Sequence, residues 1–240
     1  GDHCFGLLGM ISSFGMLGRT APLHVFAPGD YSELFAKELE FFCNRIEYDV
    51  VFHPIDTSVS CVIYEDRSMT VSTIPLNHKI PCCGFLFNEK PSLPHIRRDM
   101  IDMYGIPISQ INNIKNGIDW TTPDGEVIPA SRLTTAADAP RSYAYCSDTR
   151  FIPDLYKKVK GVTVLYHEST YTSENEDRAK LYHHSTARQA AMVAKEAGVG
   201  KLLLGHYSAR YNNEKVLLDE AKEVFPESYL SKEGLEFDII

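Results

Sequence analysis

Apolar residues recur along this chain in two spacings, and each predicts its own kind of element. Residues 22–27 form a short apolar run closed by Pro28, Gly29 and Asp30, which reads as a buried strand. Leu34, Phe35, Leu39 and Phe42 then fall at helical spacing and predict a helix over residues 31–43. Residues 48–53, 59–64 and 69–74 are β-rich runs, the last two separated by a turn at Asp66, Arg67 and Ser68, so a meander of strands is expected.

Residues 88–141 break the pattern, being rich in Pro, Asn, Asp and Gly with one short helical stretch at residues 96–104. A connection of that length inside a compact domain is usually functional, so residues 88–118 are expected to project as an insertion from a body formed by residues 1–87 and 119–240. Beyond it the pattern predicts strands at 142–147, 163–166 and 201–204, helices at 153–159, 185–197 and 213–224, and a terminal strand. Alternating strands and helices imply a layered α/β fold.

Composition narrows the class. The chain has 240 residues, 44% of them hydrophobic, enough to fill a substantial core, and no apolar run approaches the roughly 20 residues needed to cross a bilayer. A soluble, cytoplasmic protein with no membrane partner is expected. The six cysteines, 4, 43, 61, 82, 83 and 146, include no CxxC pair and sit in apolar runs, so a disulfide framework is not expected. The formal charge of −8 argues against a general basic surface of the kind that holds DNA, so any RNA contact must be local.

The chemistry concentrates where apolar strands stop. Asp2 and His3 precede an apolar run from Phe5, His78 follows Leu76, Asp148 follows the run ending at Cys146, and His206 follows Leu202 to Leu204. Catalytic sites of α/β proteins lie at strand ends, and imidazole with carboxylate is a ligand set that zinc accepts. Asp148 could bridge two cations of a binuclear centre, which would activate a water and stabilise both oxygens of an in-line phosphodiester displacement. Singly, each such residue is more often a hydrogen-bonded surface group or a cap.

Local motifs sharpen this reading. Gly1-Asp2-His3 resembles the tail of the HxHxDH motif of the metallo-β-lactamase superfamily, and Ser147-Asp148-Thr149-Arg150 resembles its later aspartate motif. His167-Glu168-Ser169-Thr170, His184-Ser185-Thr186 followed by Gln189-Ala190-Ala191, and His206-Tyr207-Ser208-Ala209-Arg210-Tyr211 resemble, in order, the signatures of ribonuclease Z. Lys115-Asn116-Gly117 and the run from Asp124 to Ile128 match the stretch after that family's tRNA-binding arm.

The resemblance implies a metallo-β-lactamase αββα sandwich with a projecting arm and a zinc-dependent endonuclease that removes the 3′ trailer of precursor tRNA as a homodimer. It implies Asp2, His3, His78, Asp148 and His206 as ligands of two Zn2+ per subunit, with Asp148 bridging and Asp2 also a general base. His184 is implied as proton donor to the leaving 3′ oxygen. Glu168 either orients His184 or is a buried network carboxylate, and Arg210 either clamps the scissile phosphate or makes a surface ion pair. Lys90, Arg97, Arg98 and Lys115 would give the arm a local basic surface. His183, His24 and His53 are read as structural.

The chain opens inside the HxHxDH motif, so two further histidines and the first strands are expected upstream, and the metal site in the chain as it reads is short of ligands. Two other functions share features with this one. A phosphodiesterase or sulfatase for small substrates would use the same metal residues without the arm, and a non-catalytic RNA-binding relative would have lost its metal site.

Overall fold

A computed structural model of the chain describes residues 4–43 and 46–239. A helix α1 (Gly6–Met16) opens it, followed by β1 (Leu23–Pro28), α2 (Gly29–Phe42), β2 (Val50–Ile55), β3 (Val62–Glu65), β4 (Met69–Pro75) and β5 (Cys83–Glu89). A group of short elements comes next: β6 (His95–Ile96), α3 (Arg98–Tyr104), α4 (Ile108–Lys115), β7 (Trp120–Thr121), β8 (Val127–Ile128), α5 (Ala130–Leu133) and β9 (Thr134–Thr135). The chain finishes with β10 (Ser142–Cys146), α6 (Leu155–Lys158), β11 (Val164–Glu168), α7 (Glu176–Tyr182), α8 (Ala187–Ala197), β12 (Lys201–Gly205), α9 (Lys215–Lys222) and β13 (Ser228–Leu230).

Seven strands form one mixed sheet in the order β13-β12-β11-β10-β5-β4-β3, and β1 and β2 form a separate parallel pair. Strands β10 to β13 run parallel, whereas β5 is antiparallel to both β10 and β4. Two reversals restore the direction, so β4 runs the same way as β10, β11 and β12. The C-terminal ends of these four strands therefore share one edge, which is what brings the residues after them together.

Helix α8 shows why the sheet is covered closely. Its inward stripe is Ala187, Ala190, Ala191, Val193, Ala194 and Ala197, all buried, and small side chains let the helix approach the strands. Thr186 and Gln189 close a capping box at its start, and Gly198 at φ +63° ends it in the left-handed region, where glycine has no Cβ penalty. Leu165, Leu202, Leu204 and Leu217 complete this core.

Three expectations need correction. The run from Phe5, grouped in the sequence with the apolar strands, is helical because Leu7, Ile11 and Phe14 share one helix face, with Ile11 fully buried. Residues 83–89 form the strand β5 inside the sheet. The insertion also extends beyond residue 118: Ile106, Ile114, Ile128, Ala130 and Leu133 form a small core of their own, against which Ile96 and Trp120 pack. Strand β6 pairs with β9, and at the neck the Glu89 amide donates to the Arg141 carbonyl at 2.9 Å while the Arg141 guanidinium returns to the Glu89 carboxylate at 3.0 Å. The packed unit thus runs from about Ile96 to Thr135.

Candidate active site

The residues that follow β4, β10, β11 and β12 converge at the shared edge. Asp148 Oδ1 lies 3.2 Å from His206 Nε2, and ligand atoms of His78, Asp148 and His184 lie within 4.8 Å of one another. Asp2 and His3 lie outside the described residues. Among the described residues, the non-glycine positions with left-handed backbone are Asp148 (φ +52°), His183 (φ +62°) and His206 (φ +56°). All three belong to this cluster or its immediate support. Such backbone costs free energy and is held by surrounding structure, here to turn side chains back over the strand ends. Gly205, just before His206, has no alternative for a different reason, since a Cβ there would collide with the Tyr166 ring and hydroxyl.

Glu168 organises the site from beneath. It ends β11 with 0% exposure, and its carboxylate accepts the Thr149 amide, the Ser185 amide at 2.9 Å, the Thr170 hydroxyl at 2.7 Å and the His184 Nδ1–H at 3.1 Å. Burial alone would push its pKa up, but the His184 hydrogen bond and charge, with Thr170 and Ser185, outweigh burial and hold the carboxyl below the usual range. For His184, burial pulls the pKa down, and the Glu168 hydrogen bond and charge, aided by Asp148, reverse that and raise it. The two shifts each favour the charged form of the group, with His184 side-chain exposure at 15%. Glu168 and His206 also approach His184 closely enough for a metal group. With four donors already on the Glu168 oxygens, this carboxylate supports the site and is not a ligand.

The imidazole tautomers follow from these partners. Thr170 has one proton, which goes to the Glu168 carboxylate or the His206 carbonyl, so His206 Nδ1–H donates to Thr170 Oγ1 at 2.9 Å and its Nε2 faces Asp148. His78 Nδ1–H donates to the His183 carbonyl at 3.0 Å, which leaves Nε2 with the lone pair. Holding Nδ1 with an outer partner while Nε2 faces a carboxylate is how proteins prepare imidazole to ligate a metal. His206 Nε2 and Asp148 Oδ1 face each other across 3.2 Å, and both are atom types that a cation accepts. The donor set of neutral imidazoles and a carboxylate therefore fits a metal ion such as zinc.

Above this floor opens a cleft of about 390 Å³, lined by Arg210, Tyr171, Lys79, Tyr182 and Arg178 around His78 and His184. Arg210 lies with its guanidinium carbon 5.8 Å from the centre of the Tyr171 ring and has no ion pair among the described residues. Sequence reading had missed Lys79, Arg178 and the two tyrosines, although Lys79 directly follows His78 and Arg178 and Tyr182 stand at helical spacing between two motifs. It also missed Thr149, Thr170 and Ser185 as partners of Glu168. His24 and His53 lie on β1 and β2 and contact each other at 2.8 Å.

The arm cations are not one basic surface. Lys90 lies outside the packed insertion, paired at 2.6 Å with Glu65 and with the Asp66 carbonyl at the β3–β4 turn. Arg97 is paired with Asp99 at 2.7 Å. Arg98 is exposed and Lys115 half-buried, without ion pairs among the described residues. No helix among them is long and apolar enough to cross a membrane.

No protein-family model matches the chain. It is 56% identical over 235 residues to a ribonuclease Z of Bacteroides fragilis, an alignment covering 98% of this chain and 77% of that protein. Among solved structures it resembles the short form of human tRNase Z, with a TM-score of 0.65 and 20% identity over 100% of this chain and 76% of the other. It also resembles the metallo-β-lactamase fold protein YhfI of Bacillus subtilis, with a TM-score of 0.62 and 16% identity over 98% and 72% of the two chains. The expected metallo-β-lactamase fold is thereby borne out.

Proposed function

As the chain belongs to the ribonuclease Z family, we propose that it is a metal-dependent endoribonuclease that cuts precursor tRNA and removes its 3′ trailer. The observation that carries this reading is the convergence of His78, Asp148 and His206 beside a His184 backed by a buried Glu168. A phosphodiesterase limited to small substrates has no use for the packed insertion.

His78, Asp148 and His206, together with Asp2 and His3, would contribute ligands to a centre of two zinc ions. When bound, these ions supply a water of lowered pKa and stabilise charge on the attacking and leaving oxygens. The remaining work falls to side chains of this chain. Asp2 takes a proton from the attacking water. Glu168 holds the Nδ1–H of His184, so Nε2 faces the cleft and delivers its proton to the departing 3′ oxygen of the tRNA. Arg210 offers two parallel N–H donors to the scissile phosphate. The insertion, through Arg98 and Lys115, takes the tRNA body away from the cut. The enzyme works in the cytoplasm as a homodimer, with neither DNA nor membrane as a partner.

The test is the chemistry of the product ends. Metal-loaded enzyme incubated with a labelled precursor tRNA should release tRNA ending in a 3′ hydroxyl and a trailer beginning with a 5′ phosphate. Cleavage with the phosphate left on the tRNA, or hydrolysis of small diesters alone, would overturn the reading.

A further inference from the structure

The cleft carries more positive charge than one phosphate requires. The chain has 24 Lys and Arg against 32 Asp and Glu, yet among the described residues the cleft is lined by Lys79, Arg178 and Arg210, with the Asp148 carboxylate beneath it beside His78 and His184. Among the described residues none of the three makes an ion pair with a carboxylate. Arg210 stands over Tyr171, whose ring centre is 6.3 Å from that of His184, the position suited to the reacting phosphate. Lys79 and Arg178 line the same cleft. The Lys79 ammonium lies 5.0 Å from the centre of the Tyr182 ring, and Arg178 precedes Tyr182 by four residues on α7, the spacing that places two side chains on one helix face. Two cations without ion pairs that line one cleft repel each other less when an anion binds between them.

We infer that Lys79 and Arg178 form a second phosphate subsite, which binds the phosphodiester next to the scissile one on the same RNA strand. The inference rests on the nuclease reading above and deepens it. Tyr182 keeps the Lys79 ammonium in place through its ring face, and Arg178 supplies the fork that a phosphate accepts. Arg210 and the second subsite together fix two successive linkages, which sets the register of the strand over His184. Both side chains are exposed, so their removal does not threaten folding.

The experiment compares metal-loaded wild type with the Lys79→Ala/Arg178→Ala double variant on three kinds of substrate. These are precursor tRNA, precursor tRNA with one uncharged methylphosphonate linkage immediately before or after the cut, and bis(p-nitrophenyl) phosphate, which has a single phosphate. The double variant should raise KM for precursor tRNA roughly 10- to 100-fold, the scale of losing charge-assisted bonds, with little change in kcat. Its KM should depend less steeply on salt, by roughly 0.7 in log–log slope for one phosphate of a single strand. Hydrolysis of the small diester should stay within about twofold. One of the two methylphosphonate substrates should raise the wild-type KM to a similar degree and show no further loss with the variant, which also tells the side on which the subsite lies. The inference fails if small-diester hydrolysis falls alongside tRNA cleavage, if KM for tRNA is unchanged, or if the losses add on both methylphosphonate substrates. If wild type hydrolyses the small diester and leaves precursor tRNA intact, the nuclease reading itself has failed and the subsite with it.

Discussion

Glu168 and His184 are joined across 3.1 Å, with the carboxylate sealed in the core and the imidazole reaching from it into the cleft. Burial of the acid keeps water from competing for the bond, and its other donors stop it from turning away. His184 therefore has one fixed tautomer when neutral and a stabilised charge when protonated.

Replacing His184 by alanine should separate chemistry from metal binding. We expect a fall in the cleavage rate of roughly 10²- to 10⁴-fold, the usual span for a general acid, with metal content unchanged. Parallel loss of metal would make His184 a ligand.

The same pair gives the metal-free protein a defined pH dependence. Glu168 is depressed from 4.5, so its contribution is present above that value and is lost as pH falls through the folded pKa. His184 is raised from 6.5, so its contribution is complete below that value and is lost as pH rises through the folded pKa. Both operate together between 4.5 and 6.5. In the presence of chelator, the stability difference between wild type and His184→Ala should peak in that window, at about 1–3 kcal/mol, and narrow on either side. A difference independent of pH would mean that the pair is not charged.

Gly205→Ala should damage the site without touching a polar group. The added methyl meets the Tyr166 ring, so either strand β12 or the ring must move. We expect about 1–3 kcal/mol of lost stability from overpacking and weaker metal retention, because His206 is the next residue. Wild-type metal affinity in this variant would show that His206 is not held by the strand end.

Deleting the insertion should succeed or fail according to where it is cut. Removing residues 91–139 with a short Gly-Ser bridge leaves the Glu89–Arg141 neck and the Lys90–Glu65 pair intact. That variant should fold, hydrolyse bis(p-nitrophenyl) phosphate normally and bind precursor tRNA poorly. Removing residues 90–116 instead strands Trp120, Ile128 and Leu133 without their partners and should give unstable protein. Full tRNA affinity in the longer deletion would remove the insertion from substrate binding.

That contrast also shows what could be read from the sequence. His78, Asp148 and His206 were visible because each follows an abrupt end of an apolar strand. Their convergence required the sheet order, above all β5, whose reversal aligns β4 with β10 and which the sequence reading left out. The insertion's core was invisible for a different reason. Ile96, Ile114, Trp120, Ile128 and Leu133 sit on elements of two to eight residues and Ile106 on the link between two of them, too short for any periodicity to emerge. Lys79 and Arg178 are roughly a hundred residues apart in the chain, and only the fold brings them to one cleft.

The central claim is that the strand-end cluster is a metal centre that cuts precursor tRNA. It is tested most directly by single-turnover cleavage of labelled precursor tRNA by wild type and Asp148→Asn, before chelation, after it and after zinc is restored. Wild type should cleave, stop on chelation and recover with zinc, while Asp148→Asn should lose both bound metal and cleavage and regain neither. Cleavage that persists without metal, or an Asp148→Asn enzyme that binds metal and cuts as wild type does, would contradict the account.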